Sequence, residues 1–97
     1  MATPNNDLES KIEKTVSSYA KKLGWLSYKF ASPSNRSVPD HLYLRGGMII
    51  FIEFKRAGKL ATKHQAHTHK EIEAHGVRVY IIDSIVEGKK LFNLLEV

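Results

Sequence analysis

The chain has 97 residues, 15 Lys and Arg against 10 Asp and Glu, a formal net charge of +5 and no cysteine. That length supplies one modest hydrophobic core and is too short for two domains, and the missing cysteines exclude disulfides and thiolate zinc sites. The basic balance points to a polyanion, nucleic acid first, because Lys and Arg that neutralise phosphates release condensed counterions. No long apolar run or charged-then-apolar leader marks a membrane span or secretory signal, so a cytoplasmic protein without a membrane partner is expected.

Residues 1–5 read as a loose tail. Asn6-x-x-Glu9 resembles a capping box, and Leu8, Ile12, Val16, Tyr19, Ala20 and Leu23 recur at helical spacing until Gly24 stops the run. Residues 25–30 read as a strand and the Ser/Pro/Asn stretch 31–39 as a loop. Two runs rich in aromatic and β-branched residues, 40–45 and 48–55, flank Gly46-Gly47, which is a hairpin signal. Thr62-x-x-Gln65 opens a second helix ending at Gly76, and residues 77–82 form a β-branched run. Ser84-x-x-Glu87 opens a last helix carrying Leu91, Phe92, Leu94 and Leu95. The order α-β-β-β-α-β-α predicts an α/β fold, in detail an α+β mixed sheet flanked by helices, as one domain over 1–97.

A two-residue turn fixes which side chains meet. If Arg45 faces Met48, Asp40 lies across from Glu53, with Cβ atoms about 4.5–5.5 Å apart. Two like charges so placed repel unless a cation sits between them, and a hard divalent ion held by carboxylates fits the need. Glu53 and Lys55 share a strand face by the period of two, which sets an ammonium beside the metal-binding acid. There it can orient water or offset charge developing on a phosphoryl group. The arrangement reads as a metal-dependent nuclease site, with Asp40, Glu53 and Lys55 at its centre.

Other residues carry two readings each. Gln65 stands where a helix glutamine reaches back to its own cap, or where its amide contacts the lysine, a water or a phosphate. Arg36, Ser32, Ser34 and Ser37 form the loop before Asp40 and are suited to holding a phosphate, or are an exposed flexible loop. Lys29, Lys59 and Lys63 are candidate backbone contacts to DNA, and Lys70 reads the same way or as wet surface. His64, His67, His69 and His75 crowd the second helix without the acid or cysteine partners of a zinc site, so a solvated or DNA-facing helix is expected. His41 follows the metal acid but points to the opposite sheet face, as core or as support for the site. On a helical wheel Glu9 lies nearer than Glu13 to the centre of the apolar stripe.

Pro39-Asp40 followed by Ile52-Glu53-Phe54-Lys55 resembles the PD-(D/E)XK nuclease signature, and the chain from Glu9 to about Asp83 resembles the VRR-NUC (virus-type replication-repair nuclease) domain. The resemblance implies a restriction-endonuclease-like core and Mg2+- or Mn2+-dependent cleavage of DNA phosphodiesters. It implies that Asp40, Glu53, the Phe54 backbone carbonyl and Glu13 serve the metal, and that Glu13 and Gln65 join Asp40, Glu53 and Lys55 in catalysis. Free-standing members of this size are similar to homodimeric Holliday junction resolvases, so a four-way DNA junction is the implied substrate, in a bacterial or phage-infected cell. Tyr43, Tyr80 or the last helix would then supply the dimer contact. The alternatives are a nuclease for flaps or duplex ends, or a basic DNA-binding module without chemistry.

Overall fold

Seven elements follow the expected order in the computed structural model, which describes residues 7–96. They are α1 (Glu9–Lys22), β1 (Leu26–Lys29), β2 (His41–Arg45), β3 (Met48–Phe54), α2 (Lys63–Ala74), β4 (Arg78–Ile82) and α3 (Ile85–Leu94). The four strands form a mixed α+β sheet in the order β1-β2-β3-β4. The first three pair antiparallel, and α2 carries the chain over so that β4 lies parallel to β3.

The apolar stripe of α1 decides the layering. Ile12, Val16 and Ala20 are buried on the sheet face that also carries Tyr43, Ile50, Ile52 and Phe54, and Phe92 of α3 closes the same core. Burying each such large side chain contributes roughly 1.5–3 kcal/mol. Trp25 stands edge-on to Phe92 at 5.3 Å, which draws it into the core and starts β1 one residue later than its sequence suggests. Gly88 of α3 lies against α1 so closely that a Cβ there would meet Val16 Cγ1 at 2.9 Å, with Cγ2 nearer still. On the other sheet face, α2 packs against β4.

The expected hairpin register holds. Arg45 pairs with Met48 and His41 with Ile52. Gly46 and Gly47 have φ of 53° and 84°, the doubly left-handed backbone that a two-residue turn of matching twist requires. The Thr62 and Gln65 capping box forms in both directions, and Ser84 caps α3 by accepting the Glu87 amide.

Two expectations change. Leu8 is the N-cap of α1 and makes no side-chain cap bond, so the Asn6 box does not start this helix; Asn6 and the 1–5 tail lie outside the described residues. Tyr43 is fully buried, its hydroxyl 2.7 Å from Ser17 Oγ, so it is a core residue and not an interface. Tyr80 packs against the core half-buried.

Candidate active site

Asp40 stands one residue before β2, where the ladder no longer dictates its direction. Its Oδ1 accepts the Phe54 amide at 3.4 Å, which fastens the carboxylate at the Glu53-Phe54 end of β3. Ile52 and Phe54 face the core, so Glu53 between them faces the α2 side, where it is only 6% exposed. Lys55 continues the strand line through its amide, which donates to Ile82 O at 2.9 Å, and sends Nζ to within 3.6 Å of Glu53 Oε2. Gln65 keeps its cap and also reaches the site, through Glu53 and not through Lys55. Its Oε1 accepts the Thr62 amide at 3.0 Å while its Nε2 donates to Glu53 Oε2 at 3.4 Å.

These acids crowd one another. Burial first, then the charge of Glu53, pushes the Asp40 carboxyl up from 3.8 to about 7. Burial also raises Glu53, against the pull of the Lys55 ammonium. Desolvated like charges of this kind favour either a bound proton or a bound cation.

Glu13 approaches Asp40 from the α1 side. Its Oε1 lies 2.9 Å from Nδ1 of the buried His41, and its Oε2 lies 3.8 Å from Lys29 Nζ. Among the described residues, Glu13, Asp40 and His41 are the one group of three whose ligand atoms all lie within 4.8 Å of each other. Glu53 is outside that group. Asp40 therefore lines two hollows, one with Glu9, Glu13 and Lys29, the other with Glu53, Gln65, Ser32 and Arg36. The wheel's preference for Glu9 is not met: Glu9 is exposed and acts on Asp40 and Glu53 only through its charge, while Glu13 is half-buried at the site.

Asp40, Glu53, Lys55, Gln65, Arg36 and Ser32 thus converge, and Glu13 joins through Asp40. Ser37 folds back, its amide donating to Asn35 Oδ1 at 2.9 Å, while Lys59 and Lys63 are exposed further along the chain. The histidines of α2 form no metal-like group among the described residues. His64 and His67 are exposed and His69 is buried. His41 is the residue whose place at the site the sequence least reveals. Strand alternation correctly sends it to the core face, but Asp40 is free of that alternation and comes within 3.9 Å of its Nδ1.

No protein-family model matches the sequence. A protein of Acyrthosiphon pisum secondary endosymbiont phage 1 named "Putative nuclease p44" is 43% identical over 77 residues, covering 78% of this chain and 83% of its own length. A solved VRR_NUC domain superposes with a TM-score of 0.82 at 26% identity, covering 88% of this chain and 94% of its own. The chain belongs to the VRR-NUC nuclease family. Its VRR-NUC site offers carboxylate oxygens from the residue before β2, from β3 and from α1, with burial already raising two of the acids. That donor set suits a hard divalent cation, whose charge would relieve the repulsion. No helix among the described residues is long and apolar enough to cross a membrane.

Proposed function

We propose that this nuclease is a Mg2+- or Mn2+-dependent DNA endonuclease, structure-selective for four-way junctions and acting as a homodimer. The observation that carries the catalytic reading is the Asp40 carboxylate, tied to the Phe54 amide beside Glu53, with Lys55 Nζ 3.6 Å from Glu53 Oε2. Asp40, Glu53 and the Phe54 carbonyl would hold the ion, with Glu13 completing or bracing the set. When bound, the ion would polarise the scissile phosphoryl group and lower the pKa of the attacking water.

The protein's own groups do the rest. Lys55 presents an ammonium where negative charge grows during in-line attack, and Glu53 holds it there. Gln65 holds Glu53 from the first turn of α2. Arg36 and Ser32 line the hollow that opens on Asp40 and Glu53 and are placed to grip the phosphate next to the cut. Lys29, Lys59, Lys63 and Ser37 would track the backbone beyond it. Cytoplasmic action by a single domain over 1–97 is part of the same reading.

The homodimer is supported by an incompletely covered sheet face. Leu26, Tyr28, Ile49 and Ile81 share the face opposite the core and are 45–56% exposed, an apolar surface suited to a self-complementary contact. Symmetric cuts in a junction need two sites in fixed relation, which two copies provide. A module that only binds DNA is the weaker reading, because Asp40 and Glu53 would repel the phosphates it must hold.

A panel of labelled four-way junction, flap, duplex end and plain duplex, with Mg2+, Mn2+ or EDTA at several salt concentrations, tests the reading. Paired symmetric cuts in the junction, dependent on the ion and retained as salt rises, are expected. Cleavage of flaps or ends in preference to junctions would overturn the substrate. Binding without cleavage of any form would overturn the enzyme.

A further inference from the structure

His41 is 5% exposed, and its Nδ1 has no hydrogen-bond partner although Glu13 Oε1 is 2.9 Å away. The distance suits a hydrogen bond, so it is the alignment that fails. Two ligands at neighbouring corners of an octahedral ion, each about 2.1 Å from it, stand about 3 Å apart with their lone pairs aimed at the ion and not at each other. A buried nitrogen left unpaired otherwise costs about 1–3 kcal/mol. The ring itself is held, stacked on Tyr43 at 5.6 Å and edge-on to Phe54 at 5.5 Å.

We propose that Glu13, Asp40 and His41 form a second cation site, separate from that of Asp40 and Glu53 and selective for a transition ion such as Mn2+ over Mg2+. The selectivity follows from the nitrogen: Mg2+ takes oxygen ligands and dehydrates reluctantly, whereas imidazole suits first-row transition ions. The site opens to solvent through the hollow lined by Glu9, Glu13, Lys29 and Asp40, which supplies an entry path. Glu13 Oε2, 3.8 Å from Lys29 Nζ, and Glu9 line the same hollow and add negative charge around the ion. The proposal deepens the metal reading above and rests on it only through Asp40, which both sites share.

Titrating the full chain with Mn2+, followed by the free-ion electron paramagnetic resonance signal and by pulsed detection of nitrogen coupling, tests this. The parent is expected to bind two Mn2+ and to show coupling to a directly bound histidine nitrogen. Glu53→Gln keeps that coupling. His41→Phe, which preserves the ring packing, loses it, and Mn2+ affinity at that site falls at least about tenfold. His41→Asn gives the same loss if phenylalanine disturbs the fold. No nitrogen coupling in the parent, or coupling that survives both His41 variants, would overturn the site. Mg2+-dependent cleavage in the absence of coupling would remove this second site and leave the nuclease standing; coupling without cleavage would do the reverse.

Discussion

Lys55 Nζ stands 3.6 Å from Glu53 Oε2, with the two side chains only 14% and 8% exposed. Two charges so far from water hold each other in place; removing the ammonium leaves Glu53 with Gln65 as its remaining side-chain partner and, on the proposed function, takes a cation away from the reacting phosphate. Lys55→Met is expected to lower junction cleavage at least about a hundredfold while changing junction binding only a few-fold. Single-turnover cleavage and gel shifts on the same preparations check this. Parallel losses in both would mean that Lys55 serves binding and not chemistry.

Gln65 joins a helix cap to the site, and two substitutions separate the roles. Gln65→Ala removes both contacts and should lower stability by about 0.5–1 kcal/mol, read as a denaturation midpoint. Gln65→Glu keeps a side chain able to complete the capping box but turns a donor to Glu53 into a third acid. Its cleavage should fall at least about tenfold with the cap preserved. Parental cleavage by Gln65→Glu would show that the Glu53 contact has no part in turnover.

Asp40 makes the metal-free protein sensitive to pH. Its carboxyl is raised from 3.8 to about 7, so the native state binds this proton more tightly than the unfolded chain does. The resulting stability is complete below about pH 3.8 and is lost as pH rises through about 7. Asp40→Asn does not titrate, so its advantage over the parent should grow across that window. With 35% of the Asp40 side chain in water, the gain should be on the order of 1 kcal/mol at about pH 8. Thermal melts in EDTA at about pH 5 and about pH 8 measure it, and a difference that does not change with pH would contradict the account.

Gly88 is a packing position. An alanine there gains up to about 1 kcal/mol of helix propensity but forces its Cβ into Val16, an overpacking that costs about 1–3 kcal/mol. Gly88→Ala should therefore destabilise the protein, and Val16→Ala in the same chain should recover most of the loss. Denaturation of both single variants and the double completes the cycle; simple additivity would show that α1 and α3 do not meet as described.

The position of Asp40 at the Glu53 end of β3 was legible because one tight turn determined it. Gly46-Gly47 leaves a single register for the hairpin, and that register brings Asp40 to the Glu53 end of β3. Gln65 was legible only as two competing roles, since nothing in its spacing says that one amide can serve a cap through oxygen and an acid through nitrogen. The choice between Glu9 and Glu13 failed on the wheel because a wheel reads angle and not height. Both acids lie on one flank, but Glu13 is one turn further along and level with the start of β2. His41 was hidden by its correct assignment to the core face, and Tyr43 by the fact that an aromatic on a strand suits a core and an interface alike. The Ser17 hydroxyl that places Tyr43 in the core lies 26 residues away. The Asn6-x-x-Glu9 pattern starts outside the described residues, and the helix begins at Glu9 with Leu8 as its N-cap.

The most direct measurement compares the parent with Glu53→Ala on one labelled four-way junction, scoring cleavage with Mg2+, Mn2+ and EDTA beside binding without metal. Ion-dependent cutting by the parent and none by the variant are expected. Junction binding by the variant should be equal or tighter, because a phosphate-repelling charge has gone along with a metal ligand. Equal turnover by the two proteins would contradict the proposed function.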